Sequence, residues 1–113
     1  MAIVKTNVDG YDIPDRLFEN YIRSLVNQFF KILPIRENEE PTLTEYMKNL
    51  QIELLGNKGL IVKLENDPQY LTLISILQYM IQNDCDVPTT RSQVFKAISI
   101  CNRLKSKYCT DEE

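Results

Sequence analysis

The chain of 113 residues is 43% hydrophobic and has a formal net charge of −3, which suits one ordinary folded domain and excludes wholesale disorder. It contains no histidine, so it lacks the commonest general base and the commonest metal ligand. The sequence shows neither a secretory signal nor an apolar stretch long enough to cross a membrane. We therefore expect a cytoplasmic protein with no membrane partner.

Four start signals marked by proline predict a single all-α domain over residues 1–113. Proline suits a first helical turn because its missing N–H would be unpaired there. The four predicted helices cover residues 15–33, 43–55, 69–82 and 90–108. Asp67 is a typical N-cap before Pro68. Capping-box spacing supports two other starts, Thr42 with Glu45 and Thr90 with Gln93.

The first predicted helix has a broad apolar arc, which indicates contact with at least two other helices. Pro34 is expected to end it and to leave residues 34–41 as a polar acidic connection. The second helix has a narrower apolar stripe, and Gly56 is typical of a C-cap after it. Residues 1–13 are predicted to be an N-terminal arm and residues 109–113 a frayed tail.

Two interpretations stay open for residues 59–64, which are a short strand or an extra helical turn. If they form a strand, residues 3–5 would pair with it as a minor two-stranded β ribbon. Isolated ribbons of two strands are only marginally stable. The fold prediction is therefore a bundle of four main helices, with this ribbon as an optional addition.

The third predicted helix has no charged residue between Asp67 and Asp84, and its apolar residues spread around nearly the whole circle. Such a helix is usually buried at the centre of a bundle. We accordingly predict that the first and third helices are central. The alternative is that one face of the third helix, which includes Tyr79, is a dimer or partner surface.

Charge is segregated along the chain. Residues 87–110 contain five basic side chains and no acidic one, so the rest of the chain holds eight basic and sixteen acidic residues. In the fourth helix an apolar stripe is formed by Val94, Ala97, Ile98, Cys101, Leu104 and Tyr108. Lys96, Arg103 and Lys107 project from the opposite side. The predicted partner surface consists of these three residues together with Arg91 of the same helix and Tyr79 of the third helix.

Three interpretations of these basic residues remain open. They are a solvated face favoured by the helix dipole, or a docking surface for an acidic protein or a second copy of the chain. The third is a nucleic-acid contact, because residues 89–94 superficially look like the start of a recognition helix. Against it stand the nearby Asp84 and Asp86 and a pI of about 5.0.

No motif for chemistry replaces the missing histidine. The three cysteines, Cys85, Cys101 and Cys109, have neither metal-binding nor redox spacing and are expected to be free thiols, with Cys101 in the core. Glu37, Glu39 and Glu40 form a charge run in a predicted loop, which is typical of solvated side chains. We expect no enzyme and no catalytic, cofactor or metal site.

Segments 29–34, 53–56 and 94–104 (FFKILP, ELLG and VFKAISICNRL) resemble short uncharacterised helical proteins of Gram-positive bacteria and their phages or mobile elements. The resemblance covers the chain from Tyr21 onward and implies no activity or site. Small bacteriocin immunity proteins are similar in size and in their four-helix character only.

These observations favour a non-enzymatic protein-interaction, regulatory or accessory protein that acts through a helical surface, on a protein partner or by self-association as a homodimer. One alternative is a nucleic-acid-binding accessory factor that uses the basic fourth helix. The other is a small immunity-type protein that binds a partner toxin.

Overall fold

Helices make up nearly all of the structure, a computed structural model that describes residues 4–5, 11–12, 15–61, 64 and 66–109. Within these ranges the helices are α1 (Asp15–Phe30), α2 (Ile32–Glu37), α3 (Leu43–Leu60), α4 (Pro68–Gln82) and α5 (Val87–Tyr108). Four are long and one has six residues. The prediction of an all-α bundle of four main helices is confirmed.

Pro34 lies inside α2, and the helix before it ends earlier than predicted, at Phe30. A helix continuing from α1 would need an N–H at Pro34 to donate to the carbonyl of Phe30, and the proline ring would clash with that carbonyl. The chain therefore breaks at Lys31 and restarts as α2, with Pro34 in the first turn, where its missing N–H is harmless. The prediction that residues 34–41 form a loop is wrong for their first half.

Two predicted helix boundaries are also wrong. Helix α3 continues through Gly56 to Leu60, so Gly56 is an interior residue and not a C-cap. Helix α5 begins at Val87, because the Asp86 side chain accepts a hydrogen bond from the N–H of Thr89 at 2.8 Å. Thr90 is therefore buried in the first turn rather than acting as a cap. Thr42 precedes α3 but makes no side-chain capping bond.

The predicted β ribbon is not shown, because the pairing differs. Strand β1 (Val4–Lys5) pairs antiparallel with strand β2 (Tyr11–Asp12), in the register Val4 with Asp12. Closing this short loop loses far less chain entropy than pairing residues 3–5 with residues 59–64 would. Gly59 and Leu60 instead end α3. Ile61 makes an isolated bridge and Leu64 belongs to a 3₁₀ turn, while residues 62 and 63 lie outside the described part.

Helix α5 packs against α1, α2 and α4, most extensively against α1, while α4 also packs against α3. Contacts of Phe18 with Tyr108 and of Phe30 with Phe95 mark the two ends of the antiparallel α1–α5 pair. The prediction that the first and third helices are central left out α5, which packs against both α1 and α4. Its predicted apolar stripe is confirmed, with Val94, Ala97, Cys101 and Leu104 fully buried.

Candidate partner surface on α4 and α5

The start of α4 is bonded to the end of α5 through Asp67, whose side chain has no solvent exposure. One carboxylate oxygen caps α4 by accepting from the N–H groups of Gln69 at 2.8 Å and Tyr70 at 3.1 Å. The other oxygen accepts from Lys107 Nζ at 2.8 Å and from the Tyr108 hydroxyl. This arrangement fixes the antiparallel register of the two helices.

The same contacts explain the charge state of Asp67. Burial alone would raise the pKa of this carboxyl, but the hydrogen bonds from Lys107, Tyr108 and the two backbone N–H groups outweigh it and lower the pKa. The hydrogen bond to Asp67 raises the pKa of Lys107 in return. Lys107 is therefore the partner of a buried carboxylate and not a free cation.

Arg91 is also engaged within the protein. Its guanidinium donates to Glu37 on α2 at 3.2 Å, in a contact that leaves about half of each side chain exposed. Exposed ion pairs contribute little to stability, but this one partly neutralises the Arg91 charge on the α2 side of α5. Of the predicted basic residues, Arg91 and Lys107 are thus paired.

Lys96 and Arg103 are the two predicted cations that face solvent without an ion-pair partner among the described residues. They stand seven residues apart on α5, two helical turns, and so share one face. Arg103 also lines a shallow depression beside Lys107. The other described residues of that depression are uncharged and polar: Gln69, Ser99, Asn102 and Ser106.

Tyr79 lies at the same level along the α4–α5 pair as Lys96. The Asp67–Tyr108 contact sets the register of the two antiparallel helices. Tyr79 lies twelve residues after Asp67 on α4, and Lys96 lies twelve residues before Tyr108 on α5. Both positions lie about 18 Å from the contact, hence at the same level. Tyr79 is 46% exposed. The structure therefore places Tyr79, Lys96 and Arg103 on neighbouring stretches of α4 and α5, which we call the α4/α5 face.

Helix α4 is only partly enclosed. Its buried residues are Tyr70, Leu73, Ile76, Leu77 and Met80. Leu71, Ser75 and Tyr79 are exposed and follow each other at four-residue spacing. One face of α4 is therefore uncovered in the single chain, and its use as a dimer or partner surface stays a prediction. The N-cap role predicted for Asp67 is confirmed, but its bonds to Lys107 and Tyr108 were missed because these residues lie about 40 positions away, beyond any local pattern.

Two of the thiols, Cys85 and Cys101, show no sign of activation. None of the three cysteines forms a disulfide. Burial raises the pKa of Cys101 to about 12, and burial followed by the nearby carboxylate of Asp86 raises the pKa of Cys85. Nucleophilic thiols need a lowered pKa. Within the described residues, no group of three or more Cys, Asp or Glu side chains is placed to hold a metal ion.

Comparisons of the chain with protein-family models, with curated proteins and with solved structures find no match. In the described part of the chain, no helix combines the length and the apolar character needed to span a bilayer. The α4/α5 face contains three of the five residues of the predicted partner surface, Tyr79, Lys96 and Arg103.

Proposed function

We propose that this protein is a non-enzymatic interaction module that binds an acidic protein partner through the α4/α5 face. The observation that carries the proposal is the position of Lys96 and Arg103. Both are exposed and lack an internal ion-pair partner among the described residues, whereas Arg91 and Lys107 have theirs. Unpaired cations that share a face with an exposed tyrosine suit docking of a complementary surface.

The helix dipole does not account for both cations. Its effect is confined to the last turn, and Lys96 lies twelve residues before the end of α5. Arg103 lies outside the last turn as well. Lys105 and Lys107 are the basic residues of that turn. The helix dipole therefore does not explain why Lys96 and Arg103 are basic.

Each member of the face has a distinct role in the proposed docking. Exposed ion pairs contribute only about 0.2–1 kcal/mol each, so Lys96 and Arg103 would mainly steer the encounter and set orientation. Tyr79 supplies a large, partly apolar side chain of the type that anchors interfaces. An acidic protein is favoured over a nucleic acid because the whole chain is acidic, at −3, and Asp84, whose side chain is 93% exposed, lies just before α5.

Capture from a lysate of the source cells at about 0.15 M salt tests the proposal. The immobilised wild-type chain is compared with the double variant Lys96→Glu/Arg103→Glu. The matched control is Lys31→Glu/Lys48→Glu, which makes the same change in net charge at two exposed lysines away from the α4/α5 face. We expect an acidic protein to be retained by the wild type and the control and lost by the double variant.

Equal retention by all three chains would contradict the assigned face, and reproducible retention of nothing would contradict the interaction function. A parallel titration with duplex and single-stranded DNA addresses the alternative. Binding that weakens steeply with salt and disappears in the double variant would replace the protein partner by nucleic acid. Loss of capture in Tyr79→Ser, with its fold intact by circular dichroism, would assign the anchor.

A further inference from the structure

A cavity of about 310 Å³ lies on a different part of the molecule from the α4/α5 face. It is bounded by α2, the start of α3, the end of α4 and the segment that leads into α5. Ligand pockets in proteins begin at about 300 Å³, so this volume suits a small molecule. Its apolar wall consists of Leu43, Met47, Met80 and Ile81.

The polar side of the cavity includes Arg36, which has one donor without a partner. Its Nη1 donates to Asp84 at 3.2 Å, and that carboxylate is 93% exposed. Its Nε is shielded from solvent and has no hydrogen-bond partner. A buried donor without a partner is unfavourable and rare in folded proteins. Arg36, which lines the cavity, therefore holds one unsatisfied donor, its Nε–H.

We propose that this cavity binds a small uncharged molecule with a short aliphatic body and a carbonyl or amide oxygen. The aliphatic body would lie against the methionine wall, since methionine side chains adapt to varied apolar shapes. The oxygen would accept from the Arg36 guanidinium. Because Nε is shielded, a small rotation of the side chain accompanies binding and brings Nε–H to the acceptor.

The charges around the cavity favour an uncharged ligand over a charged one. The Asp84 carboxylate lines the cavity, and the Asp86 carboxylate, two residues later in the sequence, caps α5. A second carboxylate entering beside them would be repelled. A cation drawn to Asp84 would have to displace Arg36 from that carboxylate, and no acceptor in the described part of the cavity wall is buried without a partner. A neutral acceptor satisfies the guanidinium without this repulsion and without that displacement.

The test is a titration followed by NMR with three probes of matched shape, isobutyramide, isobutyrate and isobutylammonium. We expect isobutyramide to shift the Arg36 Nε–Hε signal and the backbone amides of Cys85 and Thr90 saturably, and the two charged probes to bind more weakly. Arg36→Met, which keeps the apolar stem and removes the donors, is expected to weaken isobutyramide binding roughly fivefold. Arg23→Met, a change at an exposed arginine of α1, is the control and should leave binding unchanged.

The inference is independent of the proposed docking function, because neither Lys96 nor Arg103 borders the cavity. Absence of any saturable shift with isobutyramide would mean that only water fills the cavity and would overturn the proposal. Tighter binding of isobutyrate or of isobutylammonium would overturn the uncharged class, and unchanged affinity in Arg36→Met would remove the arginine from the site. If Arg36→Met does not fold, the ranking of the three probes on the wild-type chain decides.

Discussion

The hydroxyl of Tyr21 on α1 lies 2.9 Å from the hydroxyl of Tyr70 on α4. Tyr70 gives its single proton to the carbonyl of Leu54 at 2.7 Å, so Tyr21 must be the donor between the two phenols. Asn57 in turn donates to Tyr21 at 3.1 Å. Three helices are thereby connected by one chain of bonds from Asn57 through Tyr21 and Tyr70 to Leu54.

Removing the Tyr70 hydroxyl is expected to be more destabilising than removing that of Tyr21. Tyr70 is fully buried, and Tyr70→Phe leaves the Tyr21 hydroxyl without its acceptor. We expect a loss of about 1–3 kcal/mol in the free energy of unfolding for Tyr70→Phe and about 1 kcal/mol for Tyr21→Phe. Urea unfolding followed by circular dichroism measures both.

The double variant Tyr21→Phe/Tyr70→Phe then reports the coupling between the two hydroxyls. The effects should fall short of additive by about 0.5 kcal/mol or more, because the second substitution removes a group that already lost its partner. Strict additivity would show that the two phenols act independently. The exposed Tyr79 provides the control, and Tyr79→Phe should change stability by less than about 0.5 kcal/mol.

The sequence predicts which helices form better than which polar groups meet. Apolar periodicity placed the buried stripe of α5 correctly because the pattern repeats every three or four residues. The Tyr21–Tyr70 bond joins residues 49 positions apart, and no local pattern encodes such a pair. For the same reason the predicted surface included Lys107, whose acidic partner Asp67 lies 40 positions earlier.

Stability should fall in acid as Asp67 becomes protonated. The folded state lowers the pKa of this carboxyl below its ordinary value of about 3.9. The unfolded chain therefore binds the proton more readily, and the stabilisation is complete above about pH 4–5 and lost as pH falls through the folded pKa. We expect the thermal unfolding midpoint to fall as the pH decreases through this acid range. Near neutral pH, Asp67 should contribute no pH dependence to the midpoint.

Asp67→Asn separates the charge from the cap, because asparagine caps a helix about as well as aspartate. The variant should be less stable than the wild type at pH 7, since Lys107 and Tyr108 lose the carboxylate. The difference should shrink once the wild-type carboxyl is protonated. Asp84→Asn is the control, as that side chain is exposed. A difference between wild type and Asp67→Asn that does not change with pH would contradict this account.

Helix ends were predicted less well than helix interiors, for identifiable reasons. A proline cannot donate the helical hydrogen bond to the carbonyl four residues earlier, so Pro34 ends α1 near Phe30. Pro34 itself then fits into the first turn of the next helix. A glycine is compatible with both a C-cap and a helix interior. Helix α3 runs through Gly56 to Leu60, and Asn57, the next residue, donates a hydrogen bond to Tyr21 of α1.

Gly56→Ala should therefore stabilise the protein. The residue is exposed in the interior of α3, and nothing lies within 4 Å of the position that a Cβ would occupy. Alanine restricts the unfolded chain without a clash, so we expect a gain of about 0.5–1 kcal/mol in the free energy of unfolding. The control Lys48→Ala, on the same helix, should change it by a few tenths. A loss of stability in Gly56→Ala would show that the glycine conformation is required.

Thiol labelling should distinguish Cys85 from Cys101. Cys85 is half-buried, whereas Cys101 has no solvent exposure and a pKa raised by burial to about 12. A thiol reacts as its thiolate and only where reagent can reach it, so Cys101 should react only when the helices open. In the variant Cys109→Ser, which leaves these two thiols, we expect Cys85 to be labelled at least about a thousandfold faster than Cys101. Denaturant should make the two rates equal, and comparable rates in the native protein would show that the core around Cys101 opens readily.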